Sequence, residues 1–264
     1  MKLNNKIAVV TGGADGIGKG LCERFAKDGA RKVIVLDRNG DGARKTAAGI
    51  GGIAYDCDVS READIKRIVD EVEKTVGPIA LFCSNAGIGD FGGSPDDATS
   101  QSNEQWQRGW EVNVMAHVYA ARACLPYMLS RREGYFVNTA SAAGLLNQIG
   151  NPVYGVTKHA AVGFAEILAI THREQGIRVS VLCPQAVDTP MLRRAGVGSQ
   201  NVDGILTAEQ VAQCVAEAID EERFEILPHP QVLGYMQKKT ENYSRWIGGM
   251  AKLRRALADA KKPA

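Results

Sequence analysis

The stretch Ile7-Ala8-Val9-Val10-Thr11-Gly12-Gly13-Ala14-Asp15-Gly16-Ile17-Gly18 decides the fold. A run of β-formers enters a glycine-rich loop that opens a helical segment over 17–28, the order a phosphate-binding βα unit needs. Gly12 permits the tight turn, Gly16 lets the backbone approach a pyrophosphate, and Gly18 allows close helix packing. The helix N-terminus that follows favours negative charge. The bland alternative is a plain turn between a strand and a helix.

Outward from this loop, short β-rich runs alternate with longer helical stretches. Strands are expected at 6–11, 32–37, 53–56, 79–84, 134–139, 178–183 and 225–227, and helices at 17–28, 61–76, 103–129, 153–174 and 208–219. This is the pattern of βαβ units, so the fold class is α/β, one doubly wound domain with a seven-stranded parallel sheet flanked by helices. Ile65, Ile68, Val69, Val72 and Val76 form a helical stripe suited to packing on it. Nothing reads as an interdomain linker, so residues 1–264 form one domain. Two segments look irregular, 87–102 and 186–207, the second with Gly196, Gly198 and Gly204. Such loops follow strand carboxyl ends, where ligands bind, and 186–207 is the candidate lid over a substrate. Residues 228–264 form an extension with a basic, helical tail carrying Trp246, Ile247, Met250 and Leu253. That tail covers the domain or a partner subunit in preference to anchoring on a membrane surface.

Lys+Arg of 32 against Asp+Glu of 30 leaves a net charge of +2, too small to drive binding to nucleic acid or an acidic membrane. Cys22, Cys57, Cys83, Cys124, Cys183 and Cys214 show no CxxC pair and sit mostly in apolar runs, as reduced thiols do. With no signal-peptide pattern and no apolar run of membrane-span length, a cytoplasmic protein is expected. His117, His159, His172 and His229 share no metal spacing, and no metal is expected.

Asp37 ends the second strand, 19 residues past Gly18, where a carboxylate accepts hydrogen bonds from an adenosine ribose and repels a 2′-phosphate. With Asp15 inside the loop, it argues for NAD over NADP; Arg38, a possible phosphate partner, argues the other way. Asp58-Val59 follows the third strand and Asn85-Ala86-Gly87 the fourth, positions that also suit a helix N-cap and an ordinary turn.

Tyr154 and Lys158 stand four apart in the 153–174 helix and share a face. A phenol loses its proton near pH ~10, and a neighbouring cation brings it toward acid/base use at neutral pH. The spacing recurs at Tyr235 and Lys239, so context must separate the two. Only Tyr154 has Ser141 delivered upstream at the end of a strand. Asn113, inside an apolar helix, needs partners for its amide and is equally compatible with a structural network.

With these motifs in this order the chain resembles the short-chain dehydrogenase/reductase family over essentially its whole length. The resemblance implies a Rossmann domain in which Tyr154 is the general acid/base and Lys158 binds the nicotinamide ribose and lowers the Tyr154 pKa. Ser141 would hold the substrate oxygen, and Asn113 would support a water-mediated proton relay. It places Gly12, Asp15, Gly16, Ile17, Gly18, Asp37, Arg38, Asp58, Val59, Asn85, Ala86, Gly87, Pro184 and Thr189 at the cofactor, with Asn85 also bracing the central strands. Pro184-Gln185 replaces the usual Pro-Gly, which narrows the pocket or offers a hydrogen bond, and Ser84 replaces the first Asn of Asn-Asn-Ala-Gly. The implied activity is NAD-dependent interconversion of a secondary alcohol and a ketone; the alternatives are an NADPH-dependent ketoreductase and a non-catalytic dinucleotide-binding module. Phe91, Leu145, Leu146, Gln148, Gln185, Met191 and Leu192 suggest a moderately hydrophobic small-molecule substrate, while Arg193 and Arg194 meet an acidic group or lie solvated. The long helices 103–129 and 153–174 imply, by resemblance, a homotetramer or dimer.

Overall fold

The computed structural model describes residues 1–89, 91–94, 96–195 and 198–259; Gly196 of the expected lid and the last five residues of the extension lie outside them. Seven parallel strands are ordered β3-β2-β1-β4-β5-β6-β7. They are β1 Ile7–Thr11, β2 Lys32–Asp37, β3 Ile53–Asp56, β4 Ile79–Ser84, β5 Gly134–Thr139, β6 Ile177–Leu182 and β7 Glu225–Ile226. The order reverses between β1 and β4, and this switch point opens a crevice at the strands' carboxyl ends.

The strand interiors read as continuous apolar runs because both sheet faces are covered. Ile7 and Val9 pack into one core with α3 (Glu62–Thr75), α5 (Ala116–Arg131) and α7 (Pro152–His172). Their neighbours Ala8 and Val10 pack oppositely, with α1 (Gly16–Lys27), α2 (Gly40–Ile50) and α9 (Ala208–Glu221). This period-two division buries one apolar face of each helix without a polar strand face.

Several expectations are corrected. The sixth strand starts one residue earlier, because Gly134 of β5 registers on Ile177. The expected 103–129 helix is three pieces: α4 (Asn103–Trp110), a π-helical turn Glu111–Met115, and α5. The 153–174 helix gives way to a 3-10 turn at Arg173–Gln175. Together, Pro152–Gln175 reaches the length and composition of a membrane span, against the sequence expectation. Ala161, Val162, Ala165 and Leu168 nevertheless bury its inner face in the core. The helices α2, α6 (Ala143–Leu146) and α8 (Pro190–Ala195) were not expected, and the helical extension is formed by α10 (Gln231–Glu241) and α11 (Tyr243–Asp259). Within the segment expected as a lid, α8 forms and Val187 bridges to Leu206.

One side chain ties the switch point together. Thr11 Oγ accepts from the backbone N–H groups of Asn85 (2.9 Å) and Ala86 (3.0 Å), and Asn85 Nδ2 donates to the Thr11 carbonyl (3.1 Å). Thr139 Oγ donates to Asn85 Oδ1 (3.2 Å), so β1, β4 and β5 meet on one amide. Replacing Thr11 by Val keeps the shape and orphans two N–H groups; urea unfolding should show a loss of about 1–3 kcal/mol.

Candidate active site

The glycine loop is built where side chains do not fit. Gly12 and Gly16 hold φ of +69° and +51°, the left-handed region, and a Cβ on Gly16 would lie 2.9 Å from Thr189 Cγ2. A Cβ on Gly18 would lie 2.0 Å from the Gly12 carbonyl oxygen, so the helix packs here on its own loop. Asp37 at the end of β2 accepts from the N–H of Ala14 (3.0 Å) and of Asn39 (2.9 Å), fixing the loop to the sheet. Arg38 beside it is exposed. Asp58 does not cap α3, whose N-cap is Arg61; it accepts from the Ser60 N–H (3.0 Å) and hydroxyl (2.7 Å) in a local turn.

A cavity of about 1180 Å³ runs from this loop across the carboxyl ends of β4, β5 and β6. Gly12, Asp15, Gly16, Ile17, Gly18, Asp37, Arg38, Asp58, Val59, Asn85, Ala86, Gly87, Ser141, Tyr154, Lys158, Pro184 and Thr189 all line it. Asn113 lies behind the wall, fully buried. The π turn aims its amide at the loop after β4: Oδ1 accepts from the Ile88 N–H (2.9 Å), and Nδ2 donates to the Ile88 carbonyl (2.9 Å) and Thr157 Oγ (3.1 Å). Ile88 and Thr157 were not singled out from sequence, since a backbone partner and a mid-helix Thr leave no pattern to read.

Helix α7 presents Tyr154 and Lys158 to the cavity. Asn151 caps it, accepting from the Tyr154 N–H, and Pro152 opens it. Lys158, 3% exposed, donates to the Thr139 carbonyl (3.0 Å), with Nζ 5.7 Å from the Tyr154 ring centre. Burial lowers its ammonium to about 8. Burial also raises the Tyr154 phenol, opposed by the Ser141 hydroxyl. The expectation that Lys158 lowers the Tyr154 pKa is therefore not met in this structure. The ammonium is engaged by Thr139, and loss of solvent disfavours both charged forms. His117, one turn beyond Asn113, is buried and held neutral, burial lowering it to about 3. Ser141 Oγ accepts from the Ala143 N–H (3.1 Å) and reaches the Pro184 carbonyl at 3.4 Å.

Gln185 lines the cavity beside Ser141's partner Pro184; its N–H donates to His229 Nδ1 (3.2 Å), and its buried Oε1 has no protein partner among the described residues. Phe91, Leu146, Gln148, Met191 and Leu192 line the cavity, whereas Leu145 packs into the core instead. Arg193 pairs with Asp188 at the surface, while Arg194 faces the cavity. The second Tyr/Lys pair is structural: Tyr235 OH donates to Asp203 Oδ1 (3.0 Å), and Lys239 Nζ donates to the Leu145 carbonyl. The tail expected to cover the domain does so through Trp246, Met250, Leu253 and Leu257 of α11, and what the sequence did not show is that they line the cavity. Their helical spacing was the available signal, and the burying surface was what it lacked.

Residues 6–199 match the family model for short chain dehydrogenases. The chain is 37% identical over 234 residues to 1-deoxy-11-beta-hydroxypentalenate dehydrogenase of Streptomyces exfoliatus, covering 85% of this chain and 83% of the relative. It is 32% identical over 244 residues to human epidermal retinol dehydrogenase 2, covering 88% and 76%. A short chain dehydrogenase/reductase from Burkholderia phymatum, solved with NAD, superposes with a TM-score of 0.81 at 30% identity, covering 92% of this chain and 96% of that one. Motifs, sheet order and relatives agree: the chain belongs to the short chain dehydrogenase family.

Proposed function

We propose that the protein is an NAD-dependent oxidoreductase that interconverts a moderately hydrophobic secondary alcohol and its ketone. The observation that carries the reading is one cavity with a side-chain-free glycine cradle at one end and Ser141, Tyr154 and Lys158 at the other. Relatives named for hydroxypentalenate and retinol oxidation, and one bound to NAD, support it.

The cradle fits a dinucleotide, because Gly12, Gly16 and Gly18 bring bare backbone and the N-terminus of α1 to the cavity wall, where a pyrophosphate finds N–H donors. Gly12–Gly18 hold the pyrophosphate; Asp37 receives the ribose hydroxyls, with Asp58 and Val59 at the adenine; Asn85, Ala86, Gly87, Pro184 and Thr189 flank the nicotinamide. Bound there, the nicotinamide supplies the hydride acceptor for alcohol oxidation and the donor for ketone reduction. Ser141 holds the substrate oxygen and Tyr154 exchanges its proton. Lys158 orients the nicotinamide ribose beside the phenol. Asn113 holds the loop after β4 through Ile88, and its place behind Lys158 suits a relay that returns the proton to water. Asp37 and Asp15 repel a 2′-phosphate, which favours NAD. The free cysteines, five of them buried and Cys214 half-buried, suit a reducing, cytoplasmic setting. A homo-oligomer through α5 and α7 remains part of the proposal.

Tyr154→Phe should lower kcat for alcohol oxidation by about 10²–10⁴-fold, the range of general acid/base catalysis, while NADH binding by fluorescence is retained. A sensor module would show no turnover even in the parent. Asp37→Ala should raise the NADP-to-NAD ratio of kcat/KM by about 10-fold or more, which ~1.4 kcal/mol of removed repulsion gives. Lys158 titrates lower in the folded state than unfolded, so between about pH 8 and ~10 the unfolded chain binds the extra proton and stability rises with pH. Below that window the desolvation cost is fully present. Measured against Lys158→Met, the parent should gain on the order of 2–3 kcal/mol across the window; a flat difference contradicts the buried ammonium.

A further inference from the structure

The charges lining the cavity are sorted by place. The acids Asp15, Asp37 and Asp58 all stand at the glycine-loop end, and among the described residues no Asp or Glu lines the rest. Arg38 stands with these acids; beyond Tyr154 and Lys158 the remaining charged lining residues are Arg108 of α4, Arg194 of α8 and Arg254 of α11, brought from three separate elements. Arg108 and Arg254 flank the loop after β4. Gly109, next to Arg108, packs on Phe91 of that loop, and Arg254 is paired with its Asp96. The cavity lining also carries the apolar Leu146, Met191, Trp246, Met250 and Leu253, interspersed with polar groups such as Gln148 and Asn151.

We propose that the substrate is an apolar secondary alcohol bearing a carboxylate, received by Arg108, Arg194 and Arg254 at the outer end of the cavity while its carbinol lies at Ser141 and Tyr154. The inference rests on the oxidoreductase reading and adds the charge of the substrate. A guanidinium binds a carboxylate through paired N–H groups. Arg254 already holds one, that of Asp96, which is 71% exposed and exchanges at little cost for an arriving carboxylate. Asp37 is engaged with the loop backbone and Asp58 in a local turn, and Asp96 at the arginine end is itself paired with Arg254. Such charges at a rim set orientation and capture more than the chemical step.

Isothermal titration of the protein, with and without NADH, with decanoate and with methyl decanoate tests this without turnover. Decanoate should bind about 10-fold tighter than the ester, and the preference should shrink at high salt and in Arg108→Gln and Arg108→Gln/Arg254→Gln. Arg108→Gln removes no ion pair of the fold, so it reports even if the double variant unfolds. Equal binding of acid and ester, no binding of either, or a preference untouched by the substitutions overturns the proposal and returns these arginines to a solvated rim. Oxidation of 9-hydroxydecanoate beside its methyl ester then separates the two readings. If the preference for decanoate holds while neither alcohol reduces NAD, the carboxylate site stands and the oxidoreductase reading is what fails. If both alcohols react equally, the oxidoreductase reading stands and the carboxylate site does not.

Discussion

The packing of α7 against the carboxyl end of β5 is the constraint on which the site depends. It carries the Lys158 ammonium into the protein, where the Thr139 carbonyl is its hydrogen-bond acceptor. An isolated buried cation is expensive, and the cost appears directly as the lowered affinity of Lys158 for its proton. The approach is close enough to dictate neighbouring residues. A Cβ on Gly144 would lie 2.5 Å from the Lys158 carbonyl oxygen, and one on Gly155 would lie 2.3 Å from Asn147 Oδ1. Small residues on α6 and α7 thus let the backbone come near enough for Tyr154, Lys158 and Ser141 to share one wall.

Two amides transmit that placement to the other half of the cavity. Asn85 joins β1 to β5 across β4, and Asn113 clamps Ile88 in the loop that leaves β4. Both saturate backbone groups that a loop would otherwise leave to water, so the crevice is rigid where glycine loop and α7 face each other. The outer cavity differs. There α8 and α11 have no buried residues, and their inward faces supply the apolar wall.

The chemical end was legible in the sequence because its residues are locally determined. The strands fell within a residue of their places, since apolar runs bounded by turns carry their own signal. All the expected cofactor and catalytic residues line one cavity except Asn113, which stands behind it. What was not legible depends on partners distant in the chain. The π turn at Glu111–Met115 follows from Asn113 reaching Ile88, which no periodicity announces. The α11 wall needs the cavity to be known first. The Tyr154 phenol moved opposite to the motif's promise, because burial is a property of the assembled fold and not of a four-residue spacing. Arg193 and Arg194 are adjacent in sequence, yet only Arg194 faces the cavity.

A dinucleotide on the glycine cradle with an alcohol at Ser141 and Tyr154, as proposed, requires direct hydride transfer from the carbinol carbon. The most direct measurement is to incubate the protein with NAD and a secondary alcohol deuterated at its carbinol carbon, and to locate the label in the NADH by NMR. The structure predicts one deuterium at C4 of the nicotinamide, on a single face, with slower turnover than for the protiated alcohol. NADH formed without the label would contradict direct transfer, and label spread over both faces would contradict a cavity that fixes the two reactants against each other.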